Sequence, residues 1–266
     1  MKKKIEAKPE NGRWRDKDNP EMMSFKNEVP ELKIIAIIPA RSGSKGIPDK
    51  NVMDIGGRLL IDHSIRQAKA AGLDVIISTD SEEYKRRVDI LYPKENLAPF
   101  IRPAKFARDD TPANKVILHV LDWLKEHQNH REEPYNTFVY LEPTAPLRLV
   151  DDIKKAMGIL REDISVPAVV SVCDSHRMHP MLSFRMNRRG YLQPNTDTPG
   201  ILRQGLEPFY HLTGTIYAAR IPFYRQHETF ITQETRGIIV QQWQDYEVDS
   251  PDDVLVIKAF IGRVVV

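Results

Sequence analysis

The sequence predicts an α/β fold, built on a parallel or mostly parallel sheet with helices on both faces. Three observations carry this. Short continuous runs of β-branched residues recur along the chain, as expected of strands covered on both sides. Stripes of apolar residues at helical spacing alternate with them. A glycine-rich polar loop follows the first run directly, where such sheets bind their ligands.

The elements follow in order. Residues 1–32 begin with Met1-Lys2-Lys3-Lys4 but have no apolar segment behind it, so they do not read as a secretory signal. Asn11, Gly12, Pro20 and Pro30 interrupt the tract, and its few apolar residues lack period. It is expected to be a disordered or loosely docked extension, since it buries too little surface to offset its ordering entropy. Ile34-Ile35-Ala36-Ile37-Ile38 is the first strand, and residues 40–51 form the loop. Ile61, Ile65 and Ala68 share one face of a helix that Gly72 closes. Val75-Ile76-Ile77-Ser78 is a strand ending in Thr79-Asp80, and residues 81–92 are a helix. Val116, Ile117, Val120, Leu121 and Leu124 mark a longer helix, with Trp123 beside them as core. Phe138 to Leu141 is a strand; Ile153, Met157 and Leu160 stripe a helix; Ala168 to Val172 is a strand again. Between residues 171 and 213 the alternation lapses around Pro180, Pro194, Pro199 and Pro208, which marks an excursion from the sheet. Strands return at Thr215 to Ala218 and Gly237 to Val240. A final helix begins with Ser250 as N-cap, Pro251 at N1 and Asp252-Asp253 in the first turn.

Composition narrows the function. The chain has 39 Lys and Arg against 37 Asp and Glu, a net charge of +2, which is not the lopsided balance of a nucleic-acid binder. No apolar run approaches the ~20 residues of a membrane span. A single cysteine, Cys173, excludes an intramolecular disulfide framework and any multi-cysteine metal cage. It reads as buried packing. The expectation is a soluble, cytoplasmic protein with neither nucleic acid nor membrane as partner.

The chemistry concentrates in Pro39-Ala40-Arg41-Ser42-Gly43-Ser44-Lys45-Gly46-Ile47-Pro48-Asp49-Lys50-Asn51. Two glycines let backbone N–H groups approach a ligand, and Arg41, Lys45 and Lys50 supply charge, which together suit a triphosphate. The competing reading is a solvated basic loop. Neither a Walker A sequence nor a Gly-x-Gly-x-x-Gly fingerprint is present, so the loop is not that of a P-loop or an obvious dinucleotide domain.

This segment closely resembles the signature loop of the acylneuraminate cytidylyltransferases, which make CMP-sialic acid and related CMP-nonulosonic acids. Ile77-Ser78-Thr79-Asp80, Arg102-Pro103-Ala104, Leu141 to Arg148, Arg203-Gln204, Gly214 to Tyr217 and Glu247-Val248-Asp249 follow in the family's order. The resemblance covers residue 33 to the C-terminus. It implies a Rossmann-like nucleotidyltransferase fold with a small dimerisation insert, placed at residues 171–213. The implied reaction moves CMP from CTP to the anomeric hydroxyl of a nonulosonic acid, with Mg²⁺ as cofactor, pyrophosphate as product and a homodimer as the working state.

By the same resemblance Arg41 and Lys50 contact the phosphates, Ser44 and Lys45 line their cradle, and Asn51 and Arg102 touch the nucleotide. Residues 107–114 lie near the cytosine or form a surface loop. Asp249 and Glu247 are the metal ligands, with Glu247 standing where the family has Asp. Asp80 is either a loop brace or a functional group. Glu142 stands at the position that touches the sugar, and Arg203, Gln204, Tyr210 and His211 are candidates for the sugar pocket or dimer seam. Glu142 replaces the family's Gln, Ala145 a Ser, Thr213 an Asn and His211 an Arg. These departures imply either a different sugar acid or drift without consequence. A CMP-Kdo-like transferase and a non-catalytic nucleotide-binding paralogue are the alternative functions. His176 and His179 are three apart without a third ligand, and are read as structure of the insert rather than a metal site.

Overall fold

A computed structural model describes residues 31–44, 46–127, 134–175, 179–194 and 205–264. The isoleucine run forms β1 (Ile34–Pro39), whose two faces serve different cores. Ala36 and Ile38 pack with Ile61, Ile65, Met157 and Leu160. Ile35 and Ile37 pack on the other side with Ile117, Val120, Leu121 and Leu124. A strand apolar at every position is what a sheet covered twice requires.

Parallel neighbours flank β1: β2 (Asp74–Ser78) on one side and β3 (Thr137–Tyr140) on the other. Beyond β3 lies β7 (Tyr210–Arg220), antiparallel both to β3 and to β4 (Ala168–Asp174). β8 (Arg236–Ile239) then pairs parallel with β4. The order among the described residues is β2-β1-β3-β7-β4-β8, a mostly parallel mixed sheet.

Helices α1 (Leu60–Ala70), α2 (Glu82–Leu91) and α4 (Val150–Glu162) contribute to the first core. α3 (Ala113–His127) and α5 (Ile221–His227) contribute to the second. α6 (Pro251–Phe260) closes a smaller cluster around Ile55, Leu60, Leu147 and Val248. Its start is the expected one: Ser250 and Asp253 exchange reciprocal cap hydrogen bonds, with Pro251 in the first turn. Gly72 takes φ 81° just beyond α1.

Two sequence boundaries move. Leu32 is buried against the first core, so the ordered framework begins before residue 33, while residues 1–30 of the expected extension lie outside the described residues. β4 runs on to Asp174 and β7 begins at Tyr210, which narrows the excursion from 171–213 to residues 175–209. Pairing between Cys173 and His211 and between Asp174 and Tyr210 carries the ladder past a bulge at Val170 and Val172. The excursion holds a hairpin of β5 (Phe184–Met186) and β6 (Leu192–Pro194).

Candidate active site

The chain leaves β1 towards β2 on one side and later returns to β3 on the other, so a crevice opens at the carboxyl ends of β1 and β3. A cleft of about 310 Å³ lies there, and Arg41, Ser44, Lys50, Asn51, Arg102, Glu142, Glu247 and Asp249 all line it. These eight were picked out in sequence from four separated segments.

The glycine-rich loop is fixed from several directions. Asn51 is buried and donates from Nδ2 to the Arg41 carbonyl at 3.0 Å, so it braces the loop from within. Asp80, at the end of β2, accepts from the Ser42 N–H and the Ser42 hydroxyl, both at 2.8 Å. Of the two readings offered by its sequence position, the structure shows the loop brace. Asp49 sits in the left-handed region at φ 52° and accepts from the Tyr84 hydroxyl at 2.9 Å. Gly46 has a steric reason: a Cβ there would lie 2.7 Å from the Asp249 carbonyl oxygen. The loop and the segment before α6 therefore touch backbone to backbone. Lys45 lies outside the described residues.

Cations and carboxylates face one another across this cleft. Arg41 pairs with Asp109 at 2.7 Å. Lys50 donates from Nζ to the Val248 carbonyl and to Asp249 Oδ1, both at 3.0 Å. Arg102 is 3% exposed, and its Nε and Nη2 have no hydrogen-bond partner; the nearest carboxylate, Asp80, is 3.8 Å away. Burial pulls its pKa down, with Asp80 opposing. A buried guanidinium with idle donors suits an anionic or carbonyl ligand oxygen.

Glu142, Glu247 and Asp249 supply the opposing charge. Burial, then repulsion from Glu247, pushes the Glu142 carboxyl up to about 7. Burial, then repulsion from Asp249, also raises Glu247. A carboxyl at about 7 is partly protonated at neutral pH and can donate as well as accept. Glu142 thereby regains some of what an amide at that position offers. Oxygen ligands raised by mutual repulsion suit a hard divalent cation, which would relieve both effects. Glu247 and Asp249 lie in a loop between the 3₁₀ turn Gln242–Asp245 and α6, anchored by the Val248 N–H on the Thr144 carbonyl at 2.8 Å. Glu247 lies so close over Gly214 that a Cβ there would sit 2.0 Å from Oε1. Glycine at 214 makes room for the carboxylate.

Several contributors escaped sequence reasoning. Arg148 is fully buried and donates to the carbonyls of Glu142 and Thr215, to Ser64 Oγ and to Gln67 Oε1 at 2.6–2.9 Å. It ties the segment carrying Glu142 to β7 and α1. The motif containing Arg148 was visible, but one inward arginine leaves no periodic trace. Tyr140 lines the cleft from β3, and Thr111, Ala113 and Val116 line it from the loop before α3 and from α3 itself. That loop, proposed near the base, does reach the cleft. Ala145 is buried and Thr213 joins a knot of hydroxyls with Ser171 and Thr215, so neither lines it.

The sugar-side candidates divide. Glu142 is in the cleft; Tyr210 is 43% exposed at the start of β7 and does not line it. The His211 ring is engaged in a second pocket by Ser175 and Asp245. Arg203, Gln204 and His176 lie outside the described residues, whereas His179 caps a 3₁₀ turn at Pro180–Leu182.

Cations facing carboxylates in one cleft at the carboxyl ends of β1 and β3, on this sheet order, define an α/β protein with a ligand-binding crevice. Residues 35–250 match the family model described as Cytidylyltransferase, and the chain belongs to that family. It is 31% identical over 227 residues to the N-acylneuraminate cytidylyltransferase of Streptococcus agalactiae serotype III, covering 84% of this chain and 52% of that one. It is 27% identical over 226 residues to the CMP-N,N'-diacetyllegionaminic acid synthase of Legionella pneumophila, covering 84% and 93%. The chain thus spans about half the length of the streptococcal relative. Among solved structures, a CMP:2-keto-3-deoxy-manno-octonic acid synthetase complexed with CTP superposes with a TM-score of 0.62 at 18% identity, covering 87% of this chain and 99% of that one. That likeness supports the fold, a nucleotidyltransferase arrangement.

Proposed function

We propose that the protein transfers CMP from CTP to the anomeric hydroxyl of a sialic acid or another nonulosonic acid, releasing pyrophosphate with Mg²⁺ present. The observation that carries this is the facing of Arg41, Lys50 and Arg102 against Glu142, Glu247 and Asp249 in one cleft. The names of the streptococcal and Legionella relatives support the nonulosonic class of acceptor. The hydroxyl attacks the α-phosphorus in line while charge moves onto the departing pyrophosphate, so positioning and charge stabilisation are the protein's main tasks. Arg41 and Lys50 hold the phosphates. Arg41 exchanges Asp109 for phosphate oxygen, and Lys50 is released from Asp249 to do the same. Asp249 and Glu247 would hold Mg²⁺, which would supply neutralisation of the phosphate charge. Glu142 contacts the acceptor, donating in its protonated form.

The working state is a homodimer in the cytoplasm. The excursion supports the dimer: its hairpin exposes Met186 at 71% and Leu192 at 62%, with Phe184 and Tyr191 also exposed, and Phe209 and Leu212 are exposed where β7 begins. Exposed apolar residues so concentrated mark an interaction surface.

The test is pyrophosphate release with CTP, UTP, ATP and GTP in turn, against a panel of nonulosonic acids and Kdo. Release with CTP, Mg²⁺ and a nonulosonic acid only is the expected result. Preference for Kdo or another nucleotide would assign a different transferase, and CTP binding without turnover on any acid would make the protein a non-catalytic paralogue.

A further inference from the structure

A second cluster of chemically capable side chains lies outside the nucleotide cleft. Cys173 near the end of β4, His211 near the start of β7 and Asp245 in the Gln242–Asp245 turn each offer one ligand atom, and these atoms lie within 4.8 Å of one another. They line a pocket of about 190 Å³ with Asp174, Ser175, Gln242 and Tyr246. We propose that Cys173 Sγ, His211 Nε2 and an Asp245 carboxylate oxygen form a binding site for a borderline divalent transition ion, zinc being the ion that fits best.

Three features make this more than a chance grouping. The ligand types are those zinc takes, thiolate, imidazole and carboxylate, and hard Mg²⁺ would not choose a sulfur. Bonds of about 2.0–2.3 Å set tetrahedral ligands roughly 3–4 Å apart, so a small rotation of the side chains closes the set. The outer contact is also present. His211 Nδ1 lies 2.9 Å from Ser175 Oγ, while Nε2 lies 2.7 Å from Asp245 Oδ2. With metal on Nε2, the ring proton sits on Nδ1 and donates to Ser175, which is how a ligating histidine is normally oriented. Binding displaces the Cys173 thiol proton to solvent and leaves the imidazole neutral.

The ion would join β4 and β7 to the turn that precedes Glu247 and Asp249, so its expected role is to hold that turn on the sheet. Cys173 is the chain's single cysteine, so a thiolate signal identifies the site without any mutation.

The experiment uses the full chain, stripped with chelator and kept in excess Mg²⁺ to occupy oxygen-only sites. Cobalt(II) is titrated in, then displaced by zinc. The expected result is one cobalt per chain with a thiolate-to-cobalt charge-transfer band, tetrahedral ligand-field intensity, and loss of both on adding zinc. Ser175→Ala should weaken binding roughly 10–100-fold while keeping the band, and His211→Ala should abolish it. The proposal is overturned if cobalt fails to bind, if it binds without the thiolate band, or if the band survives unchanged in His211→Ala. A variant that does not fold leaves the wild-type spectrum to decide.

Discussion

Arg102 is where the proposed ligand binding and the stability of the fold are expected to oppose each other. Its guanidinium is buried, two of its nitrogens lack hydrogen bonds, and Asp80 stands off at 3.8 Å. A buried, poorly paired charge destabilises a fold. Arg102→Leu should therefore leave the melting temperature of the ligand-free protein unchanged or higher. The same change should weaken CTP binding about 10–100-fold, the worth of charged hydrogen bonds of about 1.5–3 kcal/mol. Calorimetry with and without CTP reads both effects. A variant that melts lower yet binds normally would give Arg102 a purely structural role.

Glu142 supplies the pH dependence. Its folded-state pKa of about 7 stands above the ordinary value of 4.5 that the unfolded chain regains. The folded state therefore holds this proton more tightly, so the stability gained is complete below about 4.5 and is lost as pH rises through about 7. Glu142→Gln removes the ionisation. In metal-free protein the wild type should lose melting temperature relative to Glu142→Gln between about pH 5 and pH 8. Parallel curves would show that Glu142 is solvated and ordinary.

At the scale of elements, the site depends on contacts between segments distant in sequence. Gly46 meets the Asp249 backbone, and a methyl there would have to displace a carbonyl rather than a flexible side chain. Gly46→Ala should lower Mg²⁺-supported turnover sharply with a smaller effect on melting, because what shifts is the segment bearing the proposed metal ligands. Equal loss of turnover with and without a higher Mg²⁺ concentration would locate the damage elsewhere. The cap of α6 makes a separate case. Ser250→Ala removes a capping box and should cost about 1 kcal/mol, or about 2–4 °C in melting temperature.

The sequence-level reading worked at this scale wherever a local pattern is also a physical requirement. Ile34 to Ile38 had to be a doubly covered strand, and Ser250-Pro251-Asp252-Asp253 had to open a helix. Cleft residues from four separated segments were legible because the basic loop and Glu142 each follow a strand and the family's motifs carry the rest; Arg102 comes after α2, and Glu247 and Asp249 after a 3₁₀ turn. Arg148 and Tyr140 were not, since one inward-facing side chain on a buried segment leaves no pattern of its own. The ends of the excursion were misplaced because Ser171 to Asp174 and Tyr210 to Thr213 pair across a bulge. That pairing is a long-range contact with no periodic signature. His211 was a candidate for the sugar pocket or the dimer seam, and Ser175 and Asp245 turn its ring into a cavity apart from the cleft.

On the scale of the whole molecule, the sheet order decides where chemistry happens. β1 and β3 diverge at the switch point, the basic loop leaves from one, and Glu142 follows the other. The carboxylates before α6 complete the cleft, while the β5–β6 hairpin extends the chain's apolar surface. A charge in that surface, as in Leu192→Asp, should convert dimer to monomer in light scattering at micromolar concentration without lowering CTP affinity. A wild type that is already monomeric would remove the hairpin's proposed role.

The central claim is that cations on one side of the cleft hold the triphosphate while carboxylates on the other hold its metal. Titration calorimetry of CTP into the protein, with and without Mg²⁺, tests it directly. Arg41→Ala should weaken CTP under both conditions, whereas Asp249→Asn should abolish only the gain that Mg²⁺ confers. CTP affinity unmoved by either substitution would contradict the account.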